Sequence, residues 1–154
     1  MANTTVGEEI HVGARFAADA VRTPVDASLP DWCAPHSVSI ARRSILVVDD
    51  DRSARTALAA ILRGQSFAVS EAGAVAEAVS MLADAPDWIL LDLMLPDGSG
   101  CRVLRQAAAQ GTTSRICVIT GAGHLMIAEA QKLGARHVLR KPLDLGRLLS
   151  ILQT

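Results

Sequence analysis

From residue 44 onward the chain alternates between two hydropathy patterns. Short, largely apolar runs occur at 45–48, 67–70, 88–91 and 116–119, with a more polar one at 136–139. Such runs fit strands covered on both faces. Between them lie longer stretches compatible with helices, at 52–64, 74–83, 99–110, 125–133 and 145–152. The first carries Ala54, Leu58, Ile61 and Leu62 on one face, and the second Val75, Val79 and Leu82. Asp50 or Asp51, Ser99 and Asp144 are placed to cap the first, third and fifth helices. Gly64 and Gly134 stand where the first and fourth helices end, and Pro86 follows the second.

Five strands alternating with five helices imply βαβ crossovers and a parallel sheet with helices on both faces. Right-handed crossovers leave few topologies. The expected fold is α/β: a doubly wound five-stranded parallel sheet of the flavodoxin-like kind, order 2-1-3-4-5, with five helices. Residues 1–43 show no sustained period, and Pro24, Pro30 and Pro35 interrupt any helix. That region reads as a mostly disordered tail with a short helix over about 9–21, ahead of a single domain at 44–154. The tail is either an inert leader or a localisation or partner segment. Trp32 is out of place in a pure linker and is a candidate docking residue.

Composition narrows the function classes. Aromatic residues make up 3% of the chain and Tyr is absent, so the core must be aliphatic. A net charge of −1 provides no electrostatic footprint for nucleic acid or anionic membrane, and Arg42-Arg43 is too short to supply one. Cys33, Cys101 and Cys117 have no metal-binding spacing, which fits free thiols in a reducing cytoplasm. No stretch approaches the roughly 18 apolar residues of a membrane span. Met1 to Thr5 lack the start of a signal peptide. The expectation is a cytoplasmic protein with no direct nucleic-acid or membrane partner.

The chemistry lies in what ends the strands. The first strand runs into Asp49-Asp50-Asp51, the third into Asp92, the fourth into Thr120 and the fifth into Lys141. All are C-terminal strand ends, so all face the crevice where open α/β sheets bind ligands. In the order 2-1-3-4-5, the first and third strands are neighbours, which gathers Asp49, Asp50 and Asp92. Three carboxylates so close repel one another, and a divalent cation relieves the repulsion. Hard oxygen ligands with water positions left over suit Mg²⁺. Lys141 adds a fixed positive charge and Thr120 a hydroxyl, while Gly121 and Ala122 leave room. Such a site fits an incoming phosphoryl group attacked in line by Asp92.

Val47-Val48-Asp49-Asp50, Leu91-Asp92-Leu93-Met94-Leu95-Pro96-Asp97-Gly98-Ser99-Gly100, Ile119-Thr120-Gly121 and Lys141-Pro142 together resemble the receiver domain of bacterial two-component response regulators. The resemblance covers about 44–154. It implies that Asp92 accepts a phosphoryl group from a sensor histidine kinase or a histidine phosphotransfer protein. It also implies that Asp50 ligates Mg²⁺ directly, Asp49 through water, and the Met94 backbone carbonyl as a further ligand. Thr120 and Lys141 would contact the phosphoryl oxygens, and the Lys141-Pro142 bond would be cis. The protein would catalyse its own phosphorylation and would not be a turnover enzyme. No output module follows Thr154, so the expected type is a stand-alone receiver acting through another protein, as a monomer or homodimer. Its expected contact surface is the fourth helix, fifth strand and fifth helix. Leu125, Met126 and Val138 are candidates there, although Leu125 and Met126 suit the core equally.

Two departures bear on switching. The family often has Tyr or Phe three residues before the Lys, and here that position is Val138. The adjacent His137 should face the opposite side of the sheet. Ser99 stands where the family commonly has Asp. Two alternatives follow: a phosphorylation-independent interaction module, and a haloacid-dehalogenase-like phosphatase that would use Asp49-Asp50-Asp51. The phosphatase would need a further acid pair after the Lys, and only Asp144 follows Lys141.

Overall fold

Ile45, Leu46, Val47 and Val48 are all buried, yet they face two different cores. Successive strand side chains point to opposite faces. Leu46 and Val48 join Ile89, Leu91 and Val118 under Val75, Ala78, Leu104 and Ala107. Ile45 and Val47 join Trp88, Leu90, Cys117 and Ile119 under Leu62, Leu148 and Leu152. A strand buried on both faces has no polar side, which is why these runs are continuously apolar.

The computed structural model describes residues 42–154, which belong to one unit, Ser39–Thr154. The expected tail, its short helix and Trp32 lie outside the described residues. The elements run β1 (Ser44–Val48), α1 (Arg52–Gly64), β2 (Ala68–Ala72), α2 (Val75–Met81), a 3₁₀ turn (Leu82–Asp84), β3 (Trp88–Leu91), β4 (Met94–Leu95), β5 (Gly98–Ser99), α3 (Cys101–Ala109), β6 (Arg115–Thr120), α4 (His124–Lys132), β7 (His137–Arg140) and α5 (Leu145–Leu152). The main sheet has the order β2-β1-β3-β6-β7, all parallel. Counting only its own strands, this is the expected 2-1-3-4-5. Residues of α1 and α5 join one core, and those of α2, α3 and α4 the other. Among the described residues, no helix is long and apolar enough to cross a membrane.

Several boundaries differ from the expected ones. β2 lies later than 67–70 because Val47 and Val48 pair with Glu71 and Ala72. Glu71 is tolerated in this edge strand because Arg63 pairs with it at 3.0 Å. β4 and β5 form an antiparallel hairpin of two-residue strands around Pro96-Asp97, too short to leave a periodic signature. α3 begins at Cys101 and not at Ser99. Its N-cap is Gly100, and the Ser99 hydroxyl accepts only from the Cys101 amide, at 3.2 Å. Gly64 is the last residue of α1, and the left-handed residue after it is Ser66 (φ 67°). Gly134 takes the expected left-handed conformation (φ 100°) after α4. Of the proposed caps, Asp51 accepts from the Ser53 and Ala54 amides, and Asp144 accepts from Arg147 at 3.0 Å.

Candidate functional site

The backbone ladder carries one residue past each strand end. Asp49 N–H donates to the Ala72 carbonyl (3.1 Å), Asp92 N–H to Val48 (2.8 Å) and Lys141 N–H to Thr120 (3.1 Å). Asp49, Asp92 and Lys141 thus leave the sheet from pinned backbone, and Thr120 is itself the last residue of β6. The Lys141-Pro142 peptide bond is cis, as the resemblance implied.

The side chains converge on Asp92. Lys141 Nζ donates to Asp92 Oδ2 and to Asp49 Oδ2, both at 2.7 Å. The Thr120 hydroxyl donates to Asp92 Oδ1 at 2.8 Å, and the Met94 amide donates to the same oxygen at 3.0 Å. Asp92 is only 4% exposed and Thr120 is fully buried. Burying a carboxylate this far is expensive unless it is paired and hydrogen-bonded. One ammonium and two neutral donors do that here. Burial alone would lower the Lys141 pKa and is the largest single influence on it. The hydrogen bonds and charges of Asp49 and Asp92 together outweigh it and hold the ammonium above its ordinary value.

Carboxylate oxygens of Asp49, Asp50 and Asp92 lie within 4.8 Å of one another. Lys141 pairs with Asp49 and Asp92 but not with Asp50, which is exposed. One ammonium against three carboxylates leaves the cluster negative. Hard oxygen donors, one of them open to solvent, fit a divalent cation of the Mg²⁺ type. The Met94 amide is anchored on Asp92, so its carbonyl belongs to the same turn. The Met94 side chain points out and is 57% exposed. An apolar recess of about 240 Å³ opens beside the acids, walled by Leu58, Leu90, Ile119 and Leu143.

Two residues of the site had no assigned role in the sequence. A Cβ on Gly100 would stand 2.3 Å from the Asp92 backbone carbonyl and 2.9 Å from Leu93 Cα. Only glycine lets α3 start this close to Asp92. Asp97 accepts from the Val75 and Ala76 amides at 2.7 and 2.9 Å. It caps α2 from the turn that follows Asp92, because the N-cap residue Ala74 has no side chain able to do so. Those two backbone hydrogen bonds lower its pKa. Asp97 stands in the quoted motif, but a capping partner 22 residues away leaves no mark in the sequence.

The expected output residues separate. Leu125 is 90% exposed, whereas Met126 and Val138 pack against the core. His137 faces the other side and meets the Trp88 ring at 5.9 Å. Arg140 donates to the Ala122 carbonyl at 3.0 Å, and the Ala122 amide donates to the Thr120 hydroxyl at 3.2 Å.

Comparison with known proteins decides the family. The model of the response regulator receiver domain matches residues 45–153. The chain belongs to the response regulator receiver domain family. This receiver is 37% identical over 112 residues to the acid tolerance regulatory protein ActR of Rhizobium meliloti (strain 1021), covering 71% of the chain and 58% of ActR. It is 36% identical over 117 residues to the response regulator protein PilR of Pseudomonas aeruginosa, covering 75% of the chain and 26% of PilR. The receiver thus spans little more than half of ActR and about a quarter of PilR. Among solved structures, it matches a response regulator from Burkholderia pseudomallei whose crystal structure contains a phosphorylated aspartic acid, a calcium ion and citrate. That match has 32% identity and a TM-score of 0.66, covering 73% of this chain and 67% of the other.

Proposed function

We propose that this receiver is a phosphoacceptor in two-component signalling, modified on Asp92 and read out by contact with another protein. The observation that carries the reading is the convergence of Thr120 and Lys141 on a carboxylate that is 4% exposed and flanked by two further acids. Asp49, Asp50, Asp92 and the Met94 carbonyl would hold Mg²⁺, with Asp50 the main ligand. Bound there, the ion offsets the negative charge of the acids and of an approaching phosphoryl group.

An Asp92 oxygen forms a bond to phosphorus as the phosphorus–nitrogen bond of a phosphohistidine donor breaks. The departing imidazole nitrogen keeps the electron pair and takes a proton from solvent. The Thr120 hydroxyl and Lys141 ammonium then turn from the carboxylate to the phosphoryl oxygens. The donor is a sensor histidine kinase or a histidine phosphotransfer protein, and the setting is the cytoplasm. Asp92 is consumed once per event, so the protein is a signalling acceptor and not a turnover enzyme.

Output does not need an aromatic at Val138. When the Thr120 hydroxyl turns inward, it drops the Ala122 amide. Ala122 is tethered at its carbonyl by Arg140, so the strain falls on the loop that leads into α4 and exposed Leu125. Val138 also supports a second reading, in which the domain binds its partner whether or not Asp92 is modified. The phosphatase alternative has less to work with, because Asp144 is engaged as the cap of α5.

The test uses a phosphorylated histidine phosphotransfer domain carrying labelled phosphate. Transfer should reach one label per chain, be released by hydroxylamine as an acyl phosphate is, and be absent in Asp92→Asn. Label that survives hydroxylamine would overturn the assignment. Catalytic release of phosphate from an aryl phosphate would favour the phosphatase. Equal partner binding by Asp92→Asn and the phosphorylated wild type would favour the phosphorylation-independent module.

A further inference from the structure

The opposite edge of the sheet holds a second polar site. Where β6 and β7 begin, the α3–β6 and α4–β7 loops leave a recess of about 500 Å³, twice that beside Asp92. That volume falls within the range of small-molecule sites. Its walls include Arg115, Arg136 and His137 together with the hydroxyls of Thr113 and Ser114, and no carboxylate. The left-handed Gly134 (φ 100°) turns the chain there without a side chain.

Among the described residues, no ion pair uses up these basic groups. Among the described residues, the arginine ion pairs belong to Arg55, Arg63 and Arg105 and not to Arg115 or Arg136. Arg115 instead lies over the Trp88 ring at 5.5 Å, and His137 meets the same ring at 5.9 Å. The buried indole therefore supports both groups from below. Asp87 lines an adjoining, smaller recess that shares Thr113 and Arg115 with this one, and there the Ser44 amide and hydroxyl occupy its carboxylate at 2.6 and 3.0 Å. The Ser114 amide and hydroxyl both bond the Thr112 hydroxyl, at 3.0 and 2.7 Å, which fixes the turn.

Arginine's planar fork is matched to phosphate, and serine and threonine hydroxyls donate to the same oxygens. The geometry points to an anion-binding site in this recess, formed by Arg115, Arg136 and His137, that takes an organic diphosphate of nucleotide size. Its position, on the edge away from Asp92, makes it independent of the phosphoacceptor reading.

The full chain is titrated with ADP and with inorganic pyrophosphate in EDTA, while amide resonances are followed. Without a divalent cation the three acids at the other edge repel both probes, so binding there is suppressed. The expected result is saturable shifts at Ser114, Arg115, Arg136 and His137, with ADP binding more tightly than pyrophosphate. Arg115→Gln with Arg136→Gln should weaken ADP at least tenfold, and Asp92→Asn should leave it unchanged. Arg136→Gln alone changes an exposed side chain, keeps the Trp88 contact of Arg115, and should weaken ADP severalfold with the spectrum otherwise intact. No shifts at millimolar ADP would overturn the proposal. So would shifts centred on Asp49, Asp92 and Thr120, affinity unaltered by the double variant, or ADP binding no tighter than pyrophosphate.

Discussion

The two edges of one sheet treat their acids in opposite ways. At the N-terminal edge Asp87 is matched by the Ser44 amide and hydroxyl, which lower its pKa and leave it nothing else to do. At the C-terminal edge a single ammonium faces three carboxylates, so pairing is incomplete. The strands that reach both edges are equally apolar, so the contrast belongs to the residues just beyond them. An acid needed only for stability would be matched as Asp87 is by Ser44. The acids around Asp92 keep a negative charge that Asp87 does not.

Substitutions at each edge can break or sharpen this contrast. The largest effect is expected from Gly100→Ala. Its Cβ would overlap the Asp92 carbonyl at 2.3 Å, so backbone must move. Urea unfolding should show a loss of about 1–3 kcal/mol, the usual result of overpacking. Phosphorylation should fall with it, because the displaced residue is the proposed acceptor.

Lys141→Ala comes next. It leaves the acids without their ammonium, and stability in EDTA should drop by about 1 kcal/mol, allowing for screening of a side chain that is one-third exposed. Added Mg²⁺ should recover more stability in this variant than in the wild type. The Lys141 pKa is raised on folding, so its contribution is fully present below its ordinary value of 10.5 and lost as pH rises through the higher folded value. Thermal midpoints measured up to that range should fall more steeply in the wild type than in Lys141→Ala.

Asp87→Ala makes the reverse test at the other edge. The Asp87 pKa is lowered on folding, so its contribution is present above the ordinary 3.8 and lost as pH falls through the lower folded value. The variant should have a slightly lower midpoint at neutral pH and a flatter acid limb, with phosphorylation untouched. The smallest effect concerns Cys117. Burial pushes its thiol up to about 12, and it sits in the core beneath α5. At pH 8 the folded protein should leave Cys117 unmodified by iodoacetamide, as mass mapping would show. Rapid labelling would mean that the core opens far more readily than the packing implies.

The sheet order was legible because every central strand is apolar on both faces and every crossover carries a helix-length segment. α1 and α5 have the expected limits because Asp51 and Asp144 announce their starts. Asp92, Thr120 and Lys141 were legible by position alone, since the last residues of parallel strands must share an edge. What was missed depends on partners distant in sequence. The role of Asp97 depends on the α2 amides that its carboxylate meets. The role of Gly100 depends on the Asp92 carbonyl packed against it. The position of β2 follows from its pairing with β1, which its own composition does not encode.

The most direct test of the central claim is intact mass after incubation with acetyl phosphate, with and without Mg²⁺, on wild type and Asp92→Asn. The account predicts a Mg²⁺-dependent gain of one phosphoryl group in the wild type and none in the variant, which stays folded. An equal gain in Asp92→Asn would contradict it, because the carboxylate on which Thr120 and Lys141 converge would not be the acceptor.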